Sequence, residues 1–180
     1  MSAPLVVVVQ NNRWGISTPV SKQTKAKTLA QKAVASGIKG IQVDGNDVLA
    51  MHVAMNAAQE HARKGNGPVL IEALTYRIGA HTTSDDPSLY RKQEEVDEWK
   101  LKDPIERLRK YLVSKKWWSD KEEEALDEEN NKFVQETFAK VETYGGDVSI
   151  DDIFAYTYSE MTPNKVEQLE NYKKFLEGCK

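Results

Sequence analysis

The stretch Leu5-Val6-Val7-Val8-Val9-Gln10-Asn11-Asn12-Arg13-Trp14-Gly15-Ile16-Ser17-Thr18 decides how the chain is read. An uninterrupted β-branched run predicts a strand buried on both faces of a parallel sheet, and here it stops abruptly in amides. Working outward, a helical stretch from about Thr24 to Ala35, stopped by Gly37, leads into a second short strand, Gly40 to Val43. That strand ends in Asp44-Gly45-Asn46-Asp47, where Asp47 can cap a helix carrying Leu49, Val53 and Ala57 on one face, with Gly65 just past its end. Pro68 then opens a third strand, Val69 to Tyr76, which runs out into Arg77-Ile78-Gly79-Ala80-His81. The alternation predicts an α/β fold with a parallel sheet, whose βα loops gather on one rim where ligands of open α/β folds bind. Gln10 to Asn12, Asp44 to Asp47, and Arg77 with His81 should share that rim. Asn, Asp and Gly also form turns and caps, which is the first reading of Asp44 to Asp47.

From about Ala80 to Lys102 the chain turns polar and reads as a long functional loop. Beyond it the pattern is helical. Asp103-Pro104 makes a cap and a first helical residue, with Ile105, Leu108, Tyr111 and Leu112 on one face. Ser119 with Glu122 opens a long acidic helix with Leu126, Phe133, Val134, Phe138 and Val141 as its stripe. Thr162-Pro163 starts a last helix bearing Val166, Leu169, Tyr172 and Phe175. The expected organisation is an α/β portion over 1–102, with an active-site loop at 80–91, and a helical extension over 103–180 that clasps the sheet or a partner subunit.

The 25 Lys and Arg against 28 Asp and Glu give a net charge of −3, which argues against nucleic acid as a partner. Cys179 is the only cysteine, so no disulfide framework or cysteine metal cluster forms within one chain. Leu5 to Val9 is far too short to span a membrane, and the protein is read as soluble and cytoplasmic. Of the histidines, His52 and His61 fall inside the helix that Asp47 opens and read as surface residues. His81, past a strand's carboxyl end, is the candidate for chemistry.

The octet Asn11 to Thr18 after its valine run resembles the closing part of the thiamine-diphosphate motif in α subunits of 2-oxo acid dehydrogenases, the E1 family. Three further segments agree in the same order: Gly40 to Asp47, Leu70-Ile71-Glu72-Ala73-Leu74-Thr75-Tyr76-Arg77-Ile78-Gly79-Ala80-His81, and Ser84-Asp85-Asp86-Pro87-Ser88-Leu89-Tyr90-Arg91. The resemblance is to the bacterial, pyruvate-type subunits, with branched-chain 2-oxo acid and acetoin enzymes as alternatives. It implies the C-terminal part of a thiamine-diphosphate-binding fold in an α₂β₂ enzyme. Mg²⁺ would be bound by the Asn12 side-chain oxygen and the Trp14 carbonyl, and Ile16, Arg77 and His81 would contact thiamine diphosphate. Two neutral oxygens suit a hard cation shared with a diphosphate. His81 would also assist reductive acylation of the lipoyl domain of E2.

The family's phosphorylated serines correspond to Thr82 and Leu89, so kinase control is not expected. The family's Gly-Asp-Gly, which carries an acidic Mg²⁺ ligand, does not occur among these residues. The 180 residues by themselves are therefore expected to form part of a site, inactive until completed, with a subunit-docking module as the non-enzymatic alternative. The 80–91 loop, poor in large apolar residues, is expected to order only in the completed site. A plain nucleotide-binding domain is disfavoured because no Gly-rich phosphate loop follows the first strand.

Overall fold

The computed structural model describes residues 2–144 and 149–178; Cys179 lies outside them. It divides into two compact units, Met1–Ser119 and Asp120–Lys180. The first begins with β1 (Val6–Asn11), a two-residue hairpin of β2 (Trp14–Gly15) and β3 (Thr18–Pro19), and the single helical turns α1 (Val20–Gln23) and α2 (Lys32–Ala35). It continues through β4 (Lys39–Asp44), α3 (Val48–Arg63), β5 (Val69–Leu74), α4 (Gln93–Lys100) and α5 (Pro104–Ser114). The helical extension expected from residue 103 is thus divided, α5 staying with the sheet.

The sheet is parallel with order β1-β5-β4. Asn11 and Asp44 both stand opposite Leu74, so the strands finish level and their exits share one rim, as expected. Burial differs from the expectation. The strand covered on both faces is β5, with Val69 and Ile71 at 0 % exposure. The valine-rich β1 is an edge strand with Val7 and Val8 exposed. Composition marks a strand, but place in the sheet decides its burial, and only β5 is flanked on both sides.

Three other expectations are corrected. The helix anticipated over 24–35 survives only as α2, because local side chains take the amides a helix would need. Ala26 N donates to Thr24 Oγ1, Lys27 N to Gln31 Oε1, and Gln31 N to Thr28 Oγ1, while Ala30 N leaves the segment altogether for Glu72. Helix α3 is capped as expected, with Asp47 Oδ1 accepting from Leu49 and Ala50 N at 3.0 Å. Its Leu49–Val53 face, however, is exposed. The sheet is met instead by Ala58 and Met55, which pack with Val69 and Ile71, since small residues let helix and sheet approach closely. The loop after β5 is also shorter than 80–102. It contains a 3₁₀ turn at Pro87–Leu89 and gives way to α4, which buries Val96 and stacks Trp99 on Tyr76 at 5.2 Å.

Asp103 caps α5 through Ile105 N and Glu106 N, with Pro104 in the first turn, as the sequence predicts. In the second unit the 25-residue α6 (Asp120–Tyr144) keeps Phe133, Val134, Phe138 and Val141 exposed. Its α7 (Asp152–Ala155) meets α8 (Pro163–Gly178) through Phe154 and Tyr172, and Lys173 pairs with Asp151 at 2.6 Å. Among the described residues no helix is long and apolar enough to cross a membrane.

Candidate functional site

The exit of β1 is built from side chains that bond their own backbone. Asn11 Oδ1 accepts from Arg13 N at 3.2 Å and Asn12 Oδ1 accepts from Trp14 N at 3.1 Å, two overlapping Asx turns. They carry Arg13 to φ 71°, and Ile16 follows at φ 55°. Left-handed backbone at non-glycine residues persists where the surroundings over-determine it. Here Arg13 O accepts from Val20 N, and Ile16 O accepts from Arg77 Nη2 at 2.7 Å. Because the Val20 N–H goes to Arg13 O, Trp14 and Pro19 form a non-hydrogen-bonded antiparallel pair, and the ladder offers the Trp14 carbonyl no donor.

Arg77, at the exit of β5, ties this turn to the loop that follows. Its main-chain N–H donates to Asn12 O at 3.2 Å. Its Nη2 donates to Ile16 O and, at 2.9 Å, to the Tyr90 hydroxyl. The Tyr90 hydroxyl donates to Asp85 Oδ2 at 2.6 Å, and the same oxygen accepts from His81 N at 2.8 Å. The Tyr90 hydroxyl and then the His81 amide hold the Asp85 carboxyl below its usual range, and the carboxylate in return pushes the Tyr90 phenol up. The Trp14 and Tyr90 rings lie 5.3 Å apart. Arg91 closes the loop by donating to the carbonyls of Arg77 and Ile78, its guanidinium 5.6 Å above the Tyr76 ring.

Thus Asn12, Trp14, Ile16 and Arg77 are brought together, and His81 joins them through Asp85 and Tyr90. Among the described residues the exposed His81 imidazole makes no hydrogen bond, so its ring is free while its backbone is fixed. In the same loop Asp86 bonds Ser88, and Arg77 and Arg91 each donate to main-chain carbonyls. His52 bonds Asn56 on the surface of α3, as expected of a bystander. Asp44 and Asp47 make the turn and the helix cap expected of them. Arg107 of α5 reaches both, at 2.9 and 3.2 Å, and donates to Asn46 O at 3.0 Å.

The residue that reading by motif passed over is Glu72, 1 % exposed in the middle of β5. Oε1 accepts from Asn11 Nδ2 at 2.8 Å; Oε2 accepts from Ala30 N at 2.9 Å and Gln42 Nε2 at 3.1 Å. Burial pushes its pKa up, but the bonds from Ala30, Asn11, Leu29 and Gln42 outweigh this and leave it below the ordinary value. The available signal was a lone carboxylate inside an otherwise apolar strand, Val69 to Leu74.

The family profile described as dehydrogenase E1 component matches residues 1–147. Over 179 residues the chain is 57% identical to a pyruvate dehydrogenase E1 component subunit alpha of Acholeplasma laidlawii, covering 99% of this chain and 52% of the relative. It is 46% identical to a 3-methyl-2-oxobutanoate dehydrogenase subunit alpha of Mycobacterium tuberculosis, covering 97% and 47% of the two chains. A pyruvate dehydrogenase E1 component subunit alpha of Bacillus subtilis is 46% identical over 94% of this chain and 46% of its own. The chain spans about half the length of these curated relatives.

Proposed function

Because the chain belongs to the dehydrogenase E1 component family, we propose that it forms part of the α side of a thiamine-diphosphate site that decarboxylates pyruvate and passes the acyl unit to lipoyl-E2. The β subunit and a second α subunit would complete the α₂β₂ enzyme. The observation that carries this reading is the Asn12–Trp14 turn, joined by Arg77 to the loop that holds His81.

The residues present fit Mg²⁺ with a diphosphate. Asn12 Oδ1 uses one lone pair on Trp14 N and keeps another, and the Trp14 carbonyl lacks a ladder donor. These are the neutral oxygens a hard cation takes beside an anionic ligand. Among the described residues no group of three or more His, Cys, Asp and Glu is placed to hold a metal, so further ligands have to complete the shell. Thiamine diphosphate, when bound, supplies the nucleophilic carbon and the electron sink for loss of carbon dioxide. The chain's part is positional: Asn12 and Trp14 would hold the metal, Arg77 braces their turn, and His81 would protonate the lipoyl sulfur released when the acyl carbon bonds the other sulfur and the S–S bond breaks.

Pyruvate is preferred from the Acholeplasma relative, while the Mycobacterium relative supports a branched-chain 2-oxo acid as the second reading. Steady-state kinetics of the assembled α₂β₂ enzyme with pyruvate and with 3-methyl-2-oxobutanoate decide between them. The pyruvate reading expects the higher kcat/KM for pyruvate and fails if the branched substrate wins. Loss of Mg²⁺ affinity in Asn12→Ala supports the metal assignment, and unchanged affinity removes it.

A further inference from the structure

Glu72 is a charged group in the most buried strand, and all its direct donors are neutral amides from other segments: β1, the turn before α2, and β4. A buried carboxylate is costly unless its hydrogen bonds fix something. Its partner at Oε1 shows what is fixed. A side-chain amide presents one donor and one acceptor, and Asn11 needs its oxygen toward Arg13 N to make the turn. Glu72 accepts from the nitrogen side and so permits that orientation alone.

We infer that Glu72 is a positioning residue: it selects the amide orientation of Asn11 and thereby holds the left-handed turn at Arg13 that presents Asn12 and Trp14. The importance of that presentation rests on the metal reading above; the positioning itself does not.

The chemistry predicts where a shape-conserving substitution does damage. Glu72→Gln puts an NH₂ in place of one carboxylate oxygen. Facing Ala30 N and Gln42 Nε2 it would meet two donors, so it turns toward Asn11, where it meets one. Asn11 relieves that clash by flipping, and Arg13 N loses its acceptor. The defect therefore appears at Arg13 and not at Ala30. Adding Asn11→Asp offers oxygen on both sides: the new amide donates to the aspartate, Arg13 N regains an acceptor, and the net charge is that of the parent.

The test is amide hydrogen exchange by NMR on the 180-residue chain in its parent form, Glu72→Gln, and Asn11→Asp/Glu72→Gln. The expected result is Arg13 exchange accelerated roughly 3- to 10-fold in the single variant, the worth of one net hydrogen bond, with Ala30 unchanged and both restored in the double variant. Unchanged Arg13 with faster Ala30 exchange overturns the inference, as does a double variant no closer to the parent than the single one. If Glu72→Gln does not fold, a folded double variant with parental Arg13 protection supports the inference, and an unfolded one overturns it. Mg²⁺ affinity of the assembled α₂β₂ enzyme carrying Glu72→Gln separates the two readings. Parental affinity beside a perturbed Arg13 counts against the metal assignment and leaves the positioning role standing.

Discussion

Gly45 sits where β4 leaves the sheet, and an added methyl there tests how tightly the rim is built. A Cβ at this position would lie 2.5 Å from Thr75 Cγ2, 2.8 Å from Leu74 O and 3.1 Å from Ala73 C. Ordinary van der Waals contact begins near 3.4 Å, so Thr75 must yield by about 0.9 Å and the Leu74 carbonyl by about 0.6 Å, by subtraction from contact distances that close packing enforces. Thr75 can rotate. The Leu74 carbonyl cannot, because it is backbone of the central strand and already accepts from Gly45 N at 2.8 Å. Overpacking costs about 1–3 kcal/mol, and weakening that bond about 0.5–1.5 kcal/mol, so Gly45→Ala should cost roughly 2–4 kcal/mol. Gly37→Ala is the control: φ is +65° with nothing within 4 Å, so only the left-handed penalty of about 1–2 kcal/mol applies. All four tryptophans, Trp14, Trp99, Trp117 and Trp118, lie in the first unit, so fluorescence during urea unfolding reports on that unit selectively. With a urea slope of about 2 kcal/mol/M, the middle of the usual range, the Gly45→Ala midpoint should fall by about 1–2 M. A loss under about 0.5 kcal/mol, well below the cost of overpacking, would refute the close fit of β4 and β5 at the rim.

Arg107→Ala should destabilise the first unit by no more than about 1 kcal/mol, because its partners Asp44 and Asp47 are substantially exposed. It should also change the acid response. Burial raises the Asp44 pKa, but the Arg107 hydrogen bond and further contacts leave it below 3.8. The Asp44 contribution is therefore present above the ordinary carboxylate range and lost as pH falls through the depressed folded value. Urea titrations from pH 7 downward should show a shallower acid loss in the variant, with the part due to Glu72, lowered in the same sense, retained; identical slopes would remove the ion pair from the account. Tyr90→Phe deletes the hydroxyl between Arg77 and Asp85, so NMR exchange at the His81 and Asp85 amides should quicken while β5 stays protected, and parental rates would show that Arg91 suffices. In the assembled enzyme His81→Ala should depress lipoyl acylation by on the order of 10²–10⁴-fold, far more than decarboxylation read with an artificial electron acceptor; equal, mild losses would demote it to a structural role.

The legible part of the fold was what local chemistry dictates. The Asp47 and Asp103 caps, the Gly65 stop at φ 78°, and the three strands with their polar exits all stand where pattern places them. Burial was not legible. The Val6–Val9 run predicts an interior strand and β1 is an edge; Leu49 and Val53 predict a packed face and are exposed. A period reports which residues share a face, and the identity of the facing surface is a property of the whole arrangement. The failed helix at 24–35 has a more local cause. Thr24, Thr28 and Gln31 are unremarkable in a periodicity count, yet each accepts a backbone amide that a helix would have used.

At the candidate site, the turn to which the resemblance points is written in contiguous sequence, Asn11 to Ile16. Its supports are not contiguous: Arg77 and Glu72 each act 61 positions away from the residue they hold. The sheet turns that separation into contact. In a parallel pair, β1 and β5 run level, so Asn11 stands opposite Leu74 and the first residues past β5 face those past β1. Glu72 is two residues inside that end, on the strand shared by both neighbours, and can therefore reach β1 with one oxygen and β4 with the other. A carboxylate at the same sequence position in an edge strand would have a single neighbour to organise. The central place of β5, which the order of strands along the chain does not reveal, is what allows one buried charge to join three segments at the base of the rim.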